Sequence, residues 1–453
     1  MVPIQNQAYV GRVNALCRIS THVAPAVWTT WWLSLASLLP GSAQAQSRDA
    51  GPTDGDFESH HQSRPIAYHE VIARAGAGGP LVQGLEGQHA AYRQAEQHVD
   101  ALVDNPTLSV MPGVRAQPDS DRGFELQASL TQSIRTRDVS AARRHWARTA
   151  ARSTMARTAQ RKLEHVQRAA ELWFALWQAG QRQRLLERAR ELAVQLVGHT
   201  RTAVARGVLT RPDLAMATAF ESELRLQALG VEGELHDLGL SLAALLSDPL
   251  PVPRVAQGEP PRIELPALAE LRDAADRLGQ PPTVRAADDD VALARSRGSL
   301  TRAEIAPRIG VGVQLQRESP NAFVALLSTS FQLPVWDQST LERAQADAQL
   351  QVALAAQRRA RLQAAHDLAR LVHEVEHQRR AEQTVRDELL PALSDHQDAM
   401  EQLFALGECT VLQLLRARQA ALDGQQRLLD ARVARLQAEQ ALSLWLASLG
   451  AAS

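Results

Sequence analysis

With 453 residues the chain is long enough for two or three ordinary domains, yet only 4% of its residues are aromatic and Ala, Leu, Gln and Arg fill long stretches. That composition points to long helices rather than to compact mixed domains. Its 49 basic and 50 acidic residues nearly cancel and are interspersed, which argues against a nucleic-acid surface and against a polybasic membrane patch.

Residues 1–45 differ from the rest of the chain. Charge is sparse (Arg12, Arg18), an apolar stretch runs from Val27 to Leu39 through Trp28, Trp31 and Trp32, and Gly41-Ser42-Ala43-Gln44-Ala45 comes next. This is the pattern of a signal peptide with a long leading region, cleaved before Gln46 after the small side chains of Ala43 and Ala45. The alternative is a single-pass anchor, but the apolar run is shorter than the ~20 residues a spanning helix needs. Cys17 has no apolar run before it and is not read as a lipoprotein site. Removal of the peptide leaves Cys409 alone, so no disulfide framework is expected. No later segment is long and apolar enough to span as a helix. Any membrane-embedded part must therefore be β-strands, because only helices and closed barrels satisfy their backbone polar groups in lipid.

Residues 46–67 are polar, rich in Gly, Asp, Ser and His, and aperiodic, so a disordered lead-in is expected there. The first repeat occupies 68–250. It opens with a helical stretch over 68–103, broken at Gly76-Ala77-Gly78-Gly79-Pro80 and stopped at Pro106. A hairpin comes next, over about 107–136: Phe124, Leu126, Ala128, Leu130 and Ile134 alternate with Glu125, Gln127, Ser129, Thr131 and Ser133, the period of a strand with one apolar and one polar face. Thr107-Leu108-Ser109-Val110 begins its partner, and Gln117 to Gly123 is read as the turn. Two long helices are expected at about 138–206 and 211–246. In the first, Leu163, Val166, Ala170, Trp173 and Trp177 step by three and four, the spacing of a coiled-coil seam. Residues 251–266 are a Pro-rich linker.

The series then recurs about 200 residues later, so the chain is a duplication. The second repeat, 267–450, carries a hairpin at about 307–335, in which the alternating strand returns as Phe323, Ala325, Leu327, Thr329, Phe331 and Leu333. Its turn is read at Gln316 to Asn321. Long helices are expected at about 339–406, as one break-poor run with Ala365, Leu368, Val372 and Val375 in its seam, and at about 410–449. Gly407 repeats Gly207, and each can cap its helix in a left-handed conformation, while Thr210 can cap the helix after it. Four strands leave open edges that cannot face lipid, so several copies must share one barrel. Two copies reach the smallest known barrels and three a wide, water-filled one.

His373-Glu374-Val375-Glu376-His377 satisfies the HExxH zinc pattern, with both histidines on one helical face. It falls inside a seam-patterned helix with no cleft, and Glu388 and His396 lie further along a run read as continuous, so no third ligand is delivered. His60-His61 lies in the lead-in and is read as solvated. With no nucleophile elbow, P-loop or dinucleotide fingerprint either, no catalytic residue, metal site or cofactor is assigned.

From about Tyr68 to Leu449 the chain resembles the TolC-type outer-membrane efflux protein family. The resemblance rests on Asn105-Pro106-x-Leu108 opening the first strand, on Leu333-Pro334-Val335-Trp336-Asp337-Gln338 ending the second hairpin, and on two helix-turn-helix tips. These tips are Arg201 to Leu214 and Leu406-Gly407-Glu408-Cys409-Thr410-Val411-Leu412. It implies a mainly helical protein with a β-barrel contribution: a homotrimer with a twelve-stranded barrel in outer-membrane lipid, continuing into a coiled-coil tunnel across the periplasm. It further implies a passive exit duct of a tripartite pump, served by a periplasmic adaptor and, indirectly, an inner-membrane RND-type pump. The adaptor would meet the tips at Arg206, Gly207, Val208, Leu209, Thr210, Gly407, Glu408, Cys409 and Thr410. The segments 333–338 and 210–214 look more like the heavy-metal (cobalt-zinc-cadmium) branch than the multidrug branch. Family members often carry an acidic ring beyond the second tip, but here Gln413, Arg416 and Arg418 precede Asp423, so no gate residue is assigned. The competing readings are a periplasmic coiled-coil adaptor or scaffold and a type I secretion exit channel.

Overall fold

The computed structural model describes residues 63–98, 105–117, 120–135, 138–273, 280–318, 322–332 and 339–450. The expected signal peptide, the expected lead-in as far as residue 62 and the segment 333–338 lie outside them.

In chain order the elements are β1 (Arg64–Ala67), α1 (Tyr68–Gly76), α2 (Pro80–His98), β2 (Thr107–Gln117), β3 (Ser120–Arg135), α3 (Val139–Ala205), α4 (Arg211–Leu245), β4 (Arg254–Gln257), α5 (Leu268–Asp273), α6 (Pro282–Glu304), β5 (Arg308–Glu318), β6 (Ala322–Gln332), α7 (Thr340–Thr384), α8 (Leu390–Leu406) and α9 (Val411–Gly450). The duplication is explicit in this order: helix, hairpin and long helical pair occur as α2-β2-β3-α3-α4 and again as α6-β5-β6-α7/α8-α9. At 67 residues α3 is on the order of 100 Å long. A single helix of that length has no core of its own, and α3 is held laterally by α4, α6, α2 and α9.

Residues 64–67 correct the expected lead-in, and residues 254–257 the expected linker. Both are extended and pair in parallel, Arg64 opposite Arg254 through Ala67 opposite Gln257. They are pinned to α3 from the side. The indole N–H of Trp173 donates to the Ile66 carbonyl at 3.1 Å, and that of Trp177 to the Gly258 carbonyl at 3.2 Å. Around these bonds Trp173, Phe174, Ile66, Val71, Leu242 and Val433 form the largest core. Tyr68 packs edge-on to Trp173, ring centroids 5.2 Å apart. The two tryptophans assigned to a coiled-coil seam thus anchor a multi-element belt. In the second seam Leu368, Val372 and Val375 are buried against Leu271 and Leu442, whereas Ala365 is exposed.

Asp248 closes the same belt. Its carboxylate accepts from Arg74 of α1 and, at 2.7 Å, from Arg254 of β4. Burial pushes this carboxyl up, but hydrogen bonds and charge from Arg254 and Arg74 outweigh burial and hold it below the usual carboxylate range. The Asp248 hydrogen bond in turn raises Arg254. A second clamp fixes α6 between the long helices. Asp290 accepts from Ser153 (2.6 Å) and Arg157 (2.8 Å) of α3, and Asp288 from Gln357 (2.8 Å) and Arg361 (3.1 Å) of α7. Asp289 between them is shifted up, first by burial and then by its two acidic neighbours, against the pull of Arg152.

The run expected as one break-poor helix from Ser339 to Leu406 is interrupted. Val385–Leu389 form a π-helical turn, with the Leu390 N–H bonding to the Val385 carbonyl five residues back. Pro391 is the physical cause. It has no N–H to return to Asp387, and its ring clashes with that carbonyl in regular α geometry, so the ladder loosens just upstream. The turn sits beside buried Glu382, which pairs with Arg386 and with Arg435 of α9.

Two substitutions separate these carboxylates. Asp248→Asn leaves two arginines without their counter-charge and is expected to destabilise by about 2–4 kcal/mol at pH 7. Because Asp248 is depressed in the folded chain, its contribution is present above the unfolded value of about 3.9 and is lost as pH falls through the lower folded value. Asp289 is shifted the other way, so Asp289→Asn is expected to be neutral or stabilising at pH 7. Thermal unfolding of both variants at pH 7 checks the opposite signs.

Candidate functional site

Two features stand out: a sheet with its apolar face outward, and a pair of exposed helical turns that share one small core.

The four long strands form one antiparallel sheet in the order β2-β3-β5-β6. The first hairpin joins the second through β3 and β5, from Leu126 opposite Arg317 to Arg135 opposite Arg308. The turns are shorter than the sequence suggests, since β2 runs to Gln117 and β3 starts at Ser120. The register decides which residues share a face. Leu108 lies opposite Leu130, Leu130 opposite Val313, and Val313 opposite Leu327. One step along, Val110, Ala128, Leu315 and Ala325 form the next row. Residues two apart on a strand share a face, so Val114, Phe124, Leu126, Ile134, Ile309, Phe323 and Phe331 continue the same surface, interrupted by Gln132, Arg317 and Thr329.

This apolar face is exposed: Leu327 is 77% accessible, Phe323 71%, Val114 71% and Leu108 68%. The opposite face carries Ser109, Gln127, Ser129, Thr131, Ser133, Gln314, Gln316, Ser328 and Ser330, with Met111, Val324 and Leu326 as exceptions. On β5 it is the more covered face, with Gly310 and Gly312 buried and Gln314 half-buried, whereas Val311 and Val313 on the apolar face are exposed. Gly312 is required there, since a Cβ would lie 2.8 Å from Thr131 Oγ1 and 2.9 Å from Ser328 Oγ. A water-soluble sheet buries its apolar face, and this one presents it. Among the described residues no helix is long and apolar enough to cross a membrane.

The edges β2 and β6 run in opposite directions, because three antiparallel pairings separate them. The β6 edge of one copy can therefore meet the β2 edge of the next as a further antiparallel pair.

The second feature is the pair of tips. Gly207 ends α3 with φ +75° and Gly407 ends α8 with φ +78°. Both close in the same way. The Gly207 N–H bonds to the Val204 carbonyl and that of Val208 to Ala203; Gly407 bonds to Phe404 and Glu408 to Leu403. This is the paired 5→2 and 6→1 arrangement that satisfies the last carbonyls of a helix when its terminal residue is left-handed. Thr210 then opens α4 through a reciprocal box with Asp213: its Oγ1 accepts from the Asp213 N–H, and Asp213 Oδ2 accepts from the Thr210 N–H at 2.9 Å. The Thr210 hydrogen bonds hold Asp213 below the usual carboxylate range. Thr410 repeats the device with Gln413, whose Oε1 accepts from the Thr410 N–H at 2.8 Å.

The structure brings the two tips together. Leu196, Ala217, Val411, Leu414 and Leu415 form one core beneath both, with Leu209 and Phe404 packed against it. Of the nine residues expected at an adaptor contact, Arg206, Gly207, Val208, Thr210, Gly407, Glu408 and Thr410 are exposed, while Leu209 and Cys409 are half-buried at equivalent places. Val208 is 74% and Leu406 73% exposed. Leu406 is thus exposed beside these residues, although an apolar residue in the last turn of a helix carries no sequence signal for exposure. Cys409 Sγ donates to the Met400 carbonyl at 3.4 Å. Just beyond, Arg418 is paired with Glu401 (3.1 Å) and Asp423 with Gln419 (2.8 Å).

For the HExxH motif, no group of three or more metal-ligating side chains stands together among the described residues. Glu374 accepts a hydrogen bond from Gln378 at 2.7 Å, and the helix carrying Glu388 and His396 runs on through the π turn without folding back.

Residues 275–448 match the family model described as outer membrane efflux protein. The fold is that of solved outer-membrane channels. The protein is similar to a membrane protein from Pseudomonas aeruginosa, with a TM-score of 0.68 at 15% identity, covering 84% of this chain and 90% of that one. It is similar to the outer-membrane channel OprN, with a TM-score of 0.67 at 16% identity, covering 90% and 98%. It also resembles the MtrE outer membrane channel of Neisseria gonorrhoeae in its open state, with a TM-score of 0.63 at 17% identity, covering 84% and 88%. No curated protein matches the sequence. The resemblance to TolC-type efflux proteins is thus carried by the sequence of the second repeat and by the fold of the whole described chain.

The geometry sets two expected outcomes. Leu327→Arg places a charge on the apolar face and, in a bilayer, is expected to cost about 2–4 kcal/mol, well above the cost of Gln314→Arg on the polar face. Denaturant titration of the two variants refolded into vesicles checks the contrast. At the tips, Gly407→Ala forces a side chain into a left-handed conformation and Thr210→Ala removes a cap, each costing about 1 kcal/mol. Faster amide exchange confined to the last turn of α8 and the first of α4 is the expected readout.

Proposed function

We propose that this chain, whose second repeat matches the outer membrane efflux protein family, is the outer-membrane channel subunit of a tripartite efflux pump. The observation that carries the reading is the inverted sheet, with a continuous exposed apolar surface on one side, polar side chains on the other, and two open edges of opposite direction. Three copies joined β6 to β2 make a closed barrel of twelve strands, which removes every unpaired edge and turns the apolar faces to lipid and the polar faces to a water-filled lumen. The long helices then continue the lumen through the periplasm as a tunnel. A periplasmic adaptor or scaffold would need a compact β-domain with its own core, and this sheet buries no apolar face of its own.

Transport through such a duct is passive. The duct does no chemistry, and a pump in the inner membrane supplies the work through a periplasmic adaptor. The exposed turns around Gly207 and Gly407, with Val208, Leu406 and Glu408 outermost, are the docking end for that adaptor. The substrates we assign are heavy-metal cations rather than drugs, on the resemblance of residues 210–214 and 333–338 to that branch.

Deleting the gene and restoring it in trans tests the reading. Loss of tolerance to cobalt, zinc or cadmium, regained with the wild-type chain but not with Leu327→Arg, is the expected result. Loss of drug tolerance alone would overturn the substrate class. Unchanged tolerance to both, with the protein recovered as a soluble periplasmic monomer, would overturn the channel.

A further inference from the structure

The HExxH residues do not make a protease, but they leave a feature that the channel does not use. His373 and His377 lie one turn apart on the exposed side of α7, their rings stacked with centroids 6.2 Å apart and planes 19° from parallel. The opposite side of this turn is fixed, with Val372 and Val375 fully buried against α9 and α5. The helix therefore cannot roll, and the two imidazoles are presented together. Neighbouring carboxylates are engaged elsewhere: Glu374 with Gln378, and Glu376 with Arg380 at 3.5 Å.

We propose that His373 and His377 form a two-histidine chelate for a divalent transition metal on the wall of the helical part, with Cu2+ the preferred ion. Two imidazoles at i and i+4 can converge on one ion from the same helical face, as the first two ligands of the HExxH pattern do. Once one nitrogen holds the ion, the second binds it intramolecularly, at an effective concentration far above that of any free ligand. With two nitrogens from the protein and the other positions left to water, the site suits the tetragonal N,O coordination of Cu2+, which also stands at the top of the affinity order for such ligands. Zn2+ in structural sites takes four ligands, and this site supplies only half of them. With two protein ligands alone, the ion stays exchangeable. The site stands on geometry independent of the channel reading and concerns binding, not transport.

The test uses the full chain, purified in detergent without metal, with His60 and His61 replaced by alanine to remove the other adjacent histidine pair. Titration with Cu2+ at pH 7.5, followed by calorimetry and electron paramagnetic resonance, is expected to show one ion per chain with splitting from two nitrogens. His373→Ala and His377→Ala should each weaken that binding roughly tenfold or more and leave splitting from one nitrogen, while His396→Ala changes neither. Combining His377→Ala with Gln378→His keeps the number of histidines but moves the second ring around the helix, and should not restore binding. Unchanged Cu2+ affinity in the His373→Ala/His377→Ala double variant, or full recovery with the displaced histidine, would overturn the proposal.

Discussion

A peptide group in hydrocarbon has no water to bond to, so every N–H and C=O must find a partner within the protein. That constraint organises the channel proposed for this chain. Its four-stranded sheet satisfies three rows of backbone hydrogen bonds internally and leaves two rows open, on β2 and β6. With Leu327, Phe323 and Val114 more than two-thirds exposed, neither the face nor the edges are finished in one copy. Water penalises the face and lipid penalises the edges, and the proposed ring of copies in a bilayer answers both. The duplicated hairpin makes this possible, because an even number of strands per copy gives edges of opposite direction and hence an antiparallel join at every copy boundary.

The helical part solves a different problem. A helix of 67 residues cannot hold its position by propensity alone, since most helical stability in proteins comes from tertiary packing. The belt at Trp173 and Trp177 supplies packing where the chain most needs it, near the middle of α3. There the two short strands β1 and β4, one preceding each repeat, pair with each other and are fastened by indole hydrogen bonds and by the Arg74–Asp248–Arg254 network. At the far end the tips rely on local chemistry instead: left-handed glycines, threonine caps and one small shared core. Rigid support with an exposed outer rim suits the proposed docking end.

Much of this is legible in the sequence because the signals are periodic or local. Alternation of period two marks the strands and their apolar face, the absence of breakers marks α3, and Gly207, Thr210 and Gly407 announce turns whose chemistry lies within a few residues. What escapes depends on partners far away in sequence. Arg64–Ala67 is too short and too polar to read as a strand, and its partner lies 190 residues on, so it passes for lead-in. Trp173 and Trp177 keep seam spacing, but their N–H groups seek carbonyls on extended segments that no heptad pattern reveals. Pro391 is visible, yet its effect appears upstream as a π turn, because the missing hydrogen bond and the clash involve the carbonyl four residues earlier. The His373 and His377 pairing is legible as a motif, but the sequence does not show that both rings stand on the exposed side of α7.

The central claim is that adjacent residues of β6 face different solvents, and neighbouring cysteines test it directly. In a background with Cys409 replaced by serine, Leu327→Cys and Ser328→Cys are labelled with an environment-sensitive fluorophore and reconstituted into vesicles. The expected result is that the label at 327 is quenched by lipid-attached spin labels and not by iodide in the water, and that the label one residue on shows the reverse. Iodide quenching at both positions, or lipid quenching at 328 rather than 327, would contradict it.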